Sequence, residues 1–395
     1  MKMNQTEPVH EERPNAPVVE PTQSEANKPK KRWRILSSVF LFALIAGAMY
    51  FALRDTSLTE VWSAVKSADP LWLLCALGAS LLAAVMFGIA LHISLRALDG
   101  KRISLIRSIG FGFIGQYYTA ITPAGAAGQP MQLYYMLGYG VEVSHASLSL
   151  LLVNASHQIV VLLIPAILFP FRAGLILDNL GAFLWFLLFG AIVNIGLILF
   201  LLFAMFSQSF VTRAVNWATR LLTKIKIIKH PEAIQARINK QIALYKQGAE
   251  VFRKHPWLLV GELFAYIVLL GMQFVIPYFI YRAFGLSGFG MVDFIALQSI
   301  LYLAVCFLPL PGSAGASESG FVTIFRVLFQ SALIVPAMLL YRLMSYYVIL
   351  LISGVISLIM HLILTQRRKR ALAAAATDDS SLQETPTSLT TPPEA

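Results

Sequence analysis

The chain has 395 residues, of which 57% are hydrophobic and only 13% charged, with a formal net charge of +11. A soluble domain carries about 25% charged residues, so the composition and the mean hydropathy of +0.69 exclude an ordinary soluble enzyme and indicate an integral membrane protein. The basic excess gathers beside apolar segments, which is the positive-inside pattern of a membrane protein and gives no reason to expect a nucleic-acid partner.

Residues 1–34 are rich in Pro, Glu and Asn and end in KPKKRWR, so they read as a disordered N-terminal arm closed by a basic anchor. The first apolar run, 35–53, exceeds a signal-peptide core and lacks a small-x-small cleavage site, so it is expected to be a retained helix. Further runs at 71–95, 147–170, 180–206, 257–281 and 333–364 are each long enough to cross a bilayer core, which takes about 20 residues. Stretches 103–121 and 292–310 are apolar but carry Gly, Gln and Tyr and run into glycine-rich breaks.

Basic clusters at Lys28 to Arg34, Arg96 to Arg107, 207–256 and 366–370 all belong on the cytoplasmic side. Parity then requires residues 103–146 to enter from the cytoplasm and return to it. Residues 282–332 must likewise start and finish outside. The fold class expected is an all-α polytopic membrane protein with six transmembrane helices plus two hairpins, re-entrant or paired spans, in an inverted repeat. Both termini are expected in the cytoplasm and the protein in the cell membrane. The segment 207–256 mixes basic residues with Trp217, Leu221, Ile225, Ile234, Ile238 and Ile242 at near-helical spacing, and reads as amphipathic helix on the anionic inner leaflet or as a solvated linker. The transmembrane domain ends at 364. Residues 365–395 open with the basic QRRKR and continue as a low-complexity tail from 373, expected to be disordered.

Each hairpin is broken by a similar phrase: TPAGAAGQPMQ at 122–132 and LPGSAGASES at 310–319. Irregular backbone at membrane depth persists only when it is buried in protein or faces a wet cavity. Breaks at corresponding positions of two inverted halves point to a shared midplane site. Gly125, Gly128, Gly312 and Gly315 would let a ligand approach the backbone closely, and the restarting helix ends would favour an anionic headgroup. Gln129 and Gln132 offer headgroup hydrogen bonds or helix capping. Glu318 is the acid expected deepest in the membrane, either on a substrate path or capping the restarting helix. Glu262 is expected to reach the cytoplasmic interface from the start of its helix. Arg342 either pairs with Glu318 or a lipid phosphate, or snorkels to the outer interface. Asn154, His157 and Gln158 share one helical face, lining a cavity or bonding between helices. Cys75 and Cys306 have neither paired spacing nor neighbouring histidines, so no disulfide, metal or cofactor is expected, and no motif of soluble-type catalysis stands out.

The phrases TPAGAAGQPMQLYYM (122–136), LPLPGSAGASESGF (308–321) and YRLMSYY (341–347) resemble the membrane region of the lysylphosphatidylglycerol synthase/flippase family across residues 35–364. The most specific part is P-x-P-G-x-x-G-x-x-E, met by Pro309, Pro311, Gly312, Gly315 and Glu318. The resemblance implies a flippase moving lysylphosphatidylglycerol or a related phospholipid between leaflets, with Pro311 among the substrate-binding residues. Many relatives have an acid and an arginine after the first break where this chain has Gln129 and Gln132, which leaves the headgroup open. Bifunctional members also carry a cytoplasmic domain that transfers lysine from charged tRNA to phosphatidylglycerol, a reaction tied to cationic antimicrobial peptide resistance. With about 30 residues after the last helix, that domain is not expected here. A lysyltransferase and a membrane partner of a separate synthase are the rival readings.

Overall fold

The computed structural model describes residues 58–99, 103–122, 125–180, 183–206, 253–306, 313 and 315–383, with 213, 217 and 250 as single positions. The arm 1–34, the span 35–53, nearly all of 207–256, residues 384–395, and Pro309, Pro311 and Gly312 lie outside them. Every described element is helical. In chain order these are α1 (Leu58–Ser67), α2 (Pro70–Asp99), α3 (Leu105–Ile121), α4 (Gly128–Gly138), α5 (Val143–Leu180) and α6 (Phe183–Phe206). After the 207–256 stretch come α7 (Pro256–Phe274), α8 (Ile276–Ala283), α9 (Met291–Val305), α10 (Ala316–Phe325), α11 (Ile334–Arg342), a π-helical turn (Leu343–Tyr347) and α12 (Val348–Gln383).

Local chemistry fixes where these helices begin and bend. Pro70 starts α2, and the Asp69 carboxylate accepts from the Leu71 N–H at 2.8 Å, satisfying one of the donors a helix start leaves unpaired. Ser104 caps α3 in the same way through the Arg107 N–H. Pro165 and Pro170 lie inside α5, which breaks at Arg172 (φ −133°, ψ 20°). Pro277 separates α7 from α8, because its ring cannot continue the hydrogen-bond ladder.

Four of the described segments are long and apolar enough to cross a membrane: Pro70–Leu98, Val143–Leu175, Pro256–Ala283 and Ile334–Arg367. Leu351, Val355, Leu358 and Leu362 of α12 are exposed at spacings of three and four, a stripe that suits lipid rather than water. The protein is therefore an all-α membrane protein. The Ala-rich end of α12 carries the helix to Gln383, through residues expected to be tail. A preformed helix extends cheaply into strong helix formers.

The hairpins are asymmetric. At 1.5 Å per residue, α3 and α9 are about 25 and 22 Å long, whereas α4 and α10 are about 16 and 15 Å, half the ~30 Å hydrocarbon core. Each hairpin thus has one long arm and one short arm that cannot cross alone, as a re-entrant element does. Each also has its own core. Around the first, Phe111, Ile114, Tyr135 and Met136 pack against Leu91 and Leu95 of α2 and Leu270 and Phe274 of α7. Around the second, Phe325 stacks on Phe294 and Phe321, Tyr281 packs on Phe294 and Phe329, and the cluster extends to Ala76 and Ala79 of α2. The helices that precede the hairpins, α2 and α7–α8, pack on each other.

Candidate functional site

Between the two cores lies a cavity of about 460 Å³. Ser80 and Phe87 of α2, Gly115, Gln116 and Thr119 of α3, Gly125 of the first break and Gln129 of α4 line it on one side. Asn154 and His157 of α5, Tyr266 and Gln273 of α7, and Gln298 and Tyr302 of α9 line the middle. Ser313 and Ser317 of the second break, with Tyr341, Arg342, Ser345 and Tyr346, close it. Residues from both glycine-rich breaks therefore border one space.

The breaks are built by their glycines. Gly125 and Gly315 sit at φ +66° and +83°, in the left-handed region that an L side chain enters only with strain. Gly128 is required for close approach: a Cβ there would lie 2.0 Å from Thr119 Oγ1. Thr122 folds the first break, its Oγ1 donating to the Tyr118 carbonyl (2.6 Å) and accepting from the Ala127 N–H (3.2 Å).

The second break is held by Glu318. The Gly315 N–H donates to Glu318 Oε2 at 2.7 Å, so the carboxylate caps α10 from its N3 position. Arg342 Nε donates to Glu318 Oε1 at 2.7 Å, and the two side chains are only 10% and 13% exposed. The two sequence alternatives for Glu318 are thus one arrangement, in which it caps the helix and anchors the arginine beside the cavity. Arg342 does not snorkel. Its guanidinium lies over the Tyr346 ring at 5.5 Å, and the Tyr346 hydroxyl donates to the Ala120 carbonyl at 2.9 Å, where α3 enters the first break. A chain of contacts from Glu318 through Arg342 and Tyr346 to Ala120 ties the breaks together.

The other candidates separate. Gln129 and Gln132 both border the cavity, and Gln132, 1% exposed, also folds back across Gly115 and donates to the Phe111 carbonyl at 3.0 Å, fastening α4 to α3. Asn154 and His157 face the cavity, with His157 Nε2 at 3.0 Å from the Tyr302 hydroxyl. Gln158 turns away and accepts from Asn194 of α6 at 2.9 Å. Pro311 and Gly312 lie outside the described residues.

Sequence reasoning missed three polar features. Gln298 Nε2 donates to the Tyr341 hydroxyl at 2.7 Å, while its Oε1 is buried on the cavity wall without a hydrogen-bond partner. Asp293 pairs with Arg172 and accepts from the Gly290 N–H, pinning the start of α9 to the kink of α5. Glu262 corrects an expectation: it does not reach an interface but is fully buried, with Ser94 Oγ donating to Oε2 at 2.6 Å and Oε1 unpartnered. Its apolar neighbours Leu258, Leu259, Leu263 and Phe264 were the available signal. Among the described residues, no three His, Cys, Asp or Glu side chains gather closely enough to hold a metal ion. The cavity wall offers neutral amides and hydroxyls, with one guanidinium whose charge is balanced by Glu318, a surface suited to recognition.

The geometry agrees with the comparisons. A UPF0104 membrane protein of Archaeoglobus fulgidus is 24% identical over 319 residues, covering 78% of this chain and 91% of the relative. Residues 36–353 match the family described as the lysylphosphatidylglycerol synthase TM region, a stretch that holds both hairpins, the cavity between them and the Glu318–Arg342 pair, and the chain belongs to that family.

Proposed function

We propose that the protein moves a phospholipid between leaflets of the cell membrane, with both termini in the cytoplasm, and that its cargo belongs to the class that holds lysylphosphatidylglycerol and the related phosphatidylglycerol. The observation that carries this reading is the shared cavity, bordered by two helix breaks from different halves of the chain. A headgroup crossing hydrocarbon needs hydrogen-bonding groups at mid-depth, and irregular backbone around a polar space supplies them. The Glu318–Arg342 pair supports it further, since charged groups within a membrane domain are costly and tend to mark a substrate path. Alternating access would then move one half against the other about the cavity.

The test is exchange of fluorescent phosphatidylglycerol in proteoliposomes, followed by quenching from the outer leaflet. The intact protein should expose the inner-leaflet pool to quencher, and Glu318→Gln should slow exchange by at least about tenfold, the scale of losing one charge-assisted hydrogen bond. No exchange of any lipid by protein shown to be folded would reject transport and favour a membrane partner of a separate synthase.

A further inference from the structure

The cavity carries information about which headgroup it accepts. Its wall, among the described residues, holds one charged side chain, Arg342, and that charge is met by Glu318 at 2.7 Å. The remaining polar wall combines hydroxyls and the His157 imidazole with amides that both donate and accept, among them Gln129, Gln132, Asn154, Gln273 and Gln298.

Gln298 is the most informative of these. It lines the cavity yet is only 3% exposed, its Nε2 is committed to Tyr341, and its Oε1 is buried with no hydrogen-bond partner. A buried acceptor left unmade costs free energy, and a ligand that brings a donor recovers it. A hydroxyl can donate to an amide oxygen of this wall and still accept from a neighbouring amide. An ammonium would donate as well, but it brings a positive charge to a wall whose one carboxylate partner is already engaged. The aromatic rings are no ready substitute: Tyr346 already carries Arg342, Tyr302 packs on His157 and Phe274, and Tyr341 stacks on Phe321. The phosphate is common to phosphatidylglycerol and its lysylated form and does not distinguish them, whereas the lysyl group adds ammonium charges that such a space penalises far more than uncharged hydroxyls.

We infer that the cavity selects a polyol headgroup, one presenting glycerol or sugar hydroxyls and no ammonium group, over an aminoacylated one. This rests on the transport reading only in placing a lipid in the cavity. Phosphatidylglycerol and a glucosyl diacylglycerol share the hydroxyls and differ in the phosphate, so they separate recognition of the polyol from recognition of the anion.

The full chain is examined in detergent by native mass spectrometry, in competition between phosphatidylglycerol, glucosyl diacylglycerol and lysylphosphatidylglycerol with identical acyl chains. The first two should both bind, and the lysylated lipid about tenfold more weakly or worse. Gln298→Glu should reverse the order by supplying a carboxylate to the ammonium. If that variant fails to fold, Gln273→Glu on the same wall serves. Equal or tighter binding of the lysylated lipid by the native protein overturns the inference. So does binding of phosphatidylglycerol but not the glucolipid, which would make phosphate the recognised group, or binding of none of the three. Selective binding without exchange in proteoliposomes would leave the selectivity standing and remove the transport reading.

Discussion

At the scale of single residues, the Glu318–Arg342 pair has consequences that a surface ion pair would not. Removing one partner leaves a charge on a side chain only about a tenth exposed, so Glu318→Gln and Arg342→Gln should each destabilise the fold by about 3 kcal/mol. The double substitution should cost clearly less than the sum, and thermal unfolding of all four proteins in detergent measures this. Strictly additive losses would mean that the two side chains do not interact. The buried Ser94–Glu262 bond obeys the same logic with smaller numbers. Ser94→Ala should cost about 1–3 kcal/mol by orphaning the carboxyl, while Ser94→Ala with Glu262→Leu should recover most of it. The sequence made Glu318 and Arg342 visible because each interrupts an apolar run near a break. It did not reveal Glu262 as buried, since distance from a helix end says little when the opposing helix supplies the donor. Nor could it separate Gln129 from Gln132, three residues apart, because which of them turns toward α3 depends on the gap that Gly115 leaves.

At the scale of elements, the breaks depend on backbone that ordinary residues resist. Gly315→Ala should cost about 1–2 kcal/mol, and Gly315→Asn less, because Asn tolerates the left-handed region. Gly128→Ala should be worse, for its methyl would meet Thr119 Oγ1, and pairing it with Thr119→Ala should restore part of the loss. Equal tolerance of Ala and Asn at 315 in the same unfolding measurements would remove the positive-φ argument. The existence of both hairpins was legible from charge parity and the two glycine phrases. Their asymmetry was not: α4 and α10 continue in sequence through apolar residues, and only the turns after Gly138 and Phe325 show how short the second arms are. The helical end of α12 was likewise hidden, because its polar composition suggests no packing partner and a helix projecting from a span needs none.

At the scale of the whole molecule, the positive-inside reading places the loop before α5 in the cytoplasm and the loop between α8 and α9 outside. In a background lacking Cys75 and Cys306, an impermeant maleimide should label Ser287→Cys in intact cells and Glu142→Cys only after permeabilisation. The reverse pattern would invert the protein. The architecture also contains a source of slack. The π-helical turn Leu343–Tyr347 holds one residue more than α-helical winding would, and it lies between Arg342, fastened to the second break, and α12, which packs along α3. Were that surplus residue passed along the helix by about one turn, the residues it passes over, Tyr346 among them, would rotate by about 100° and shift by about 1.5 Å while the helix beyond kept its place. Tyr346 would then leave Ala120 while Arg342 stayed with Glu318. The strap between the breaks can in this way let go at one end only, by a ratchet whose step is a single residue.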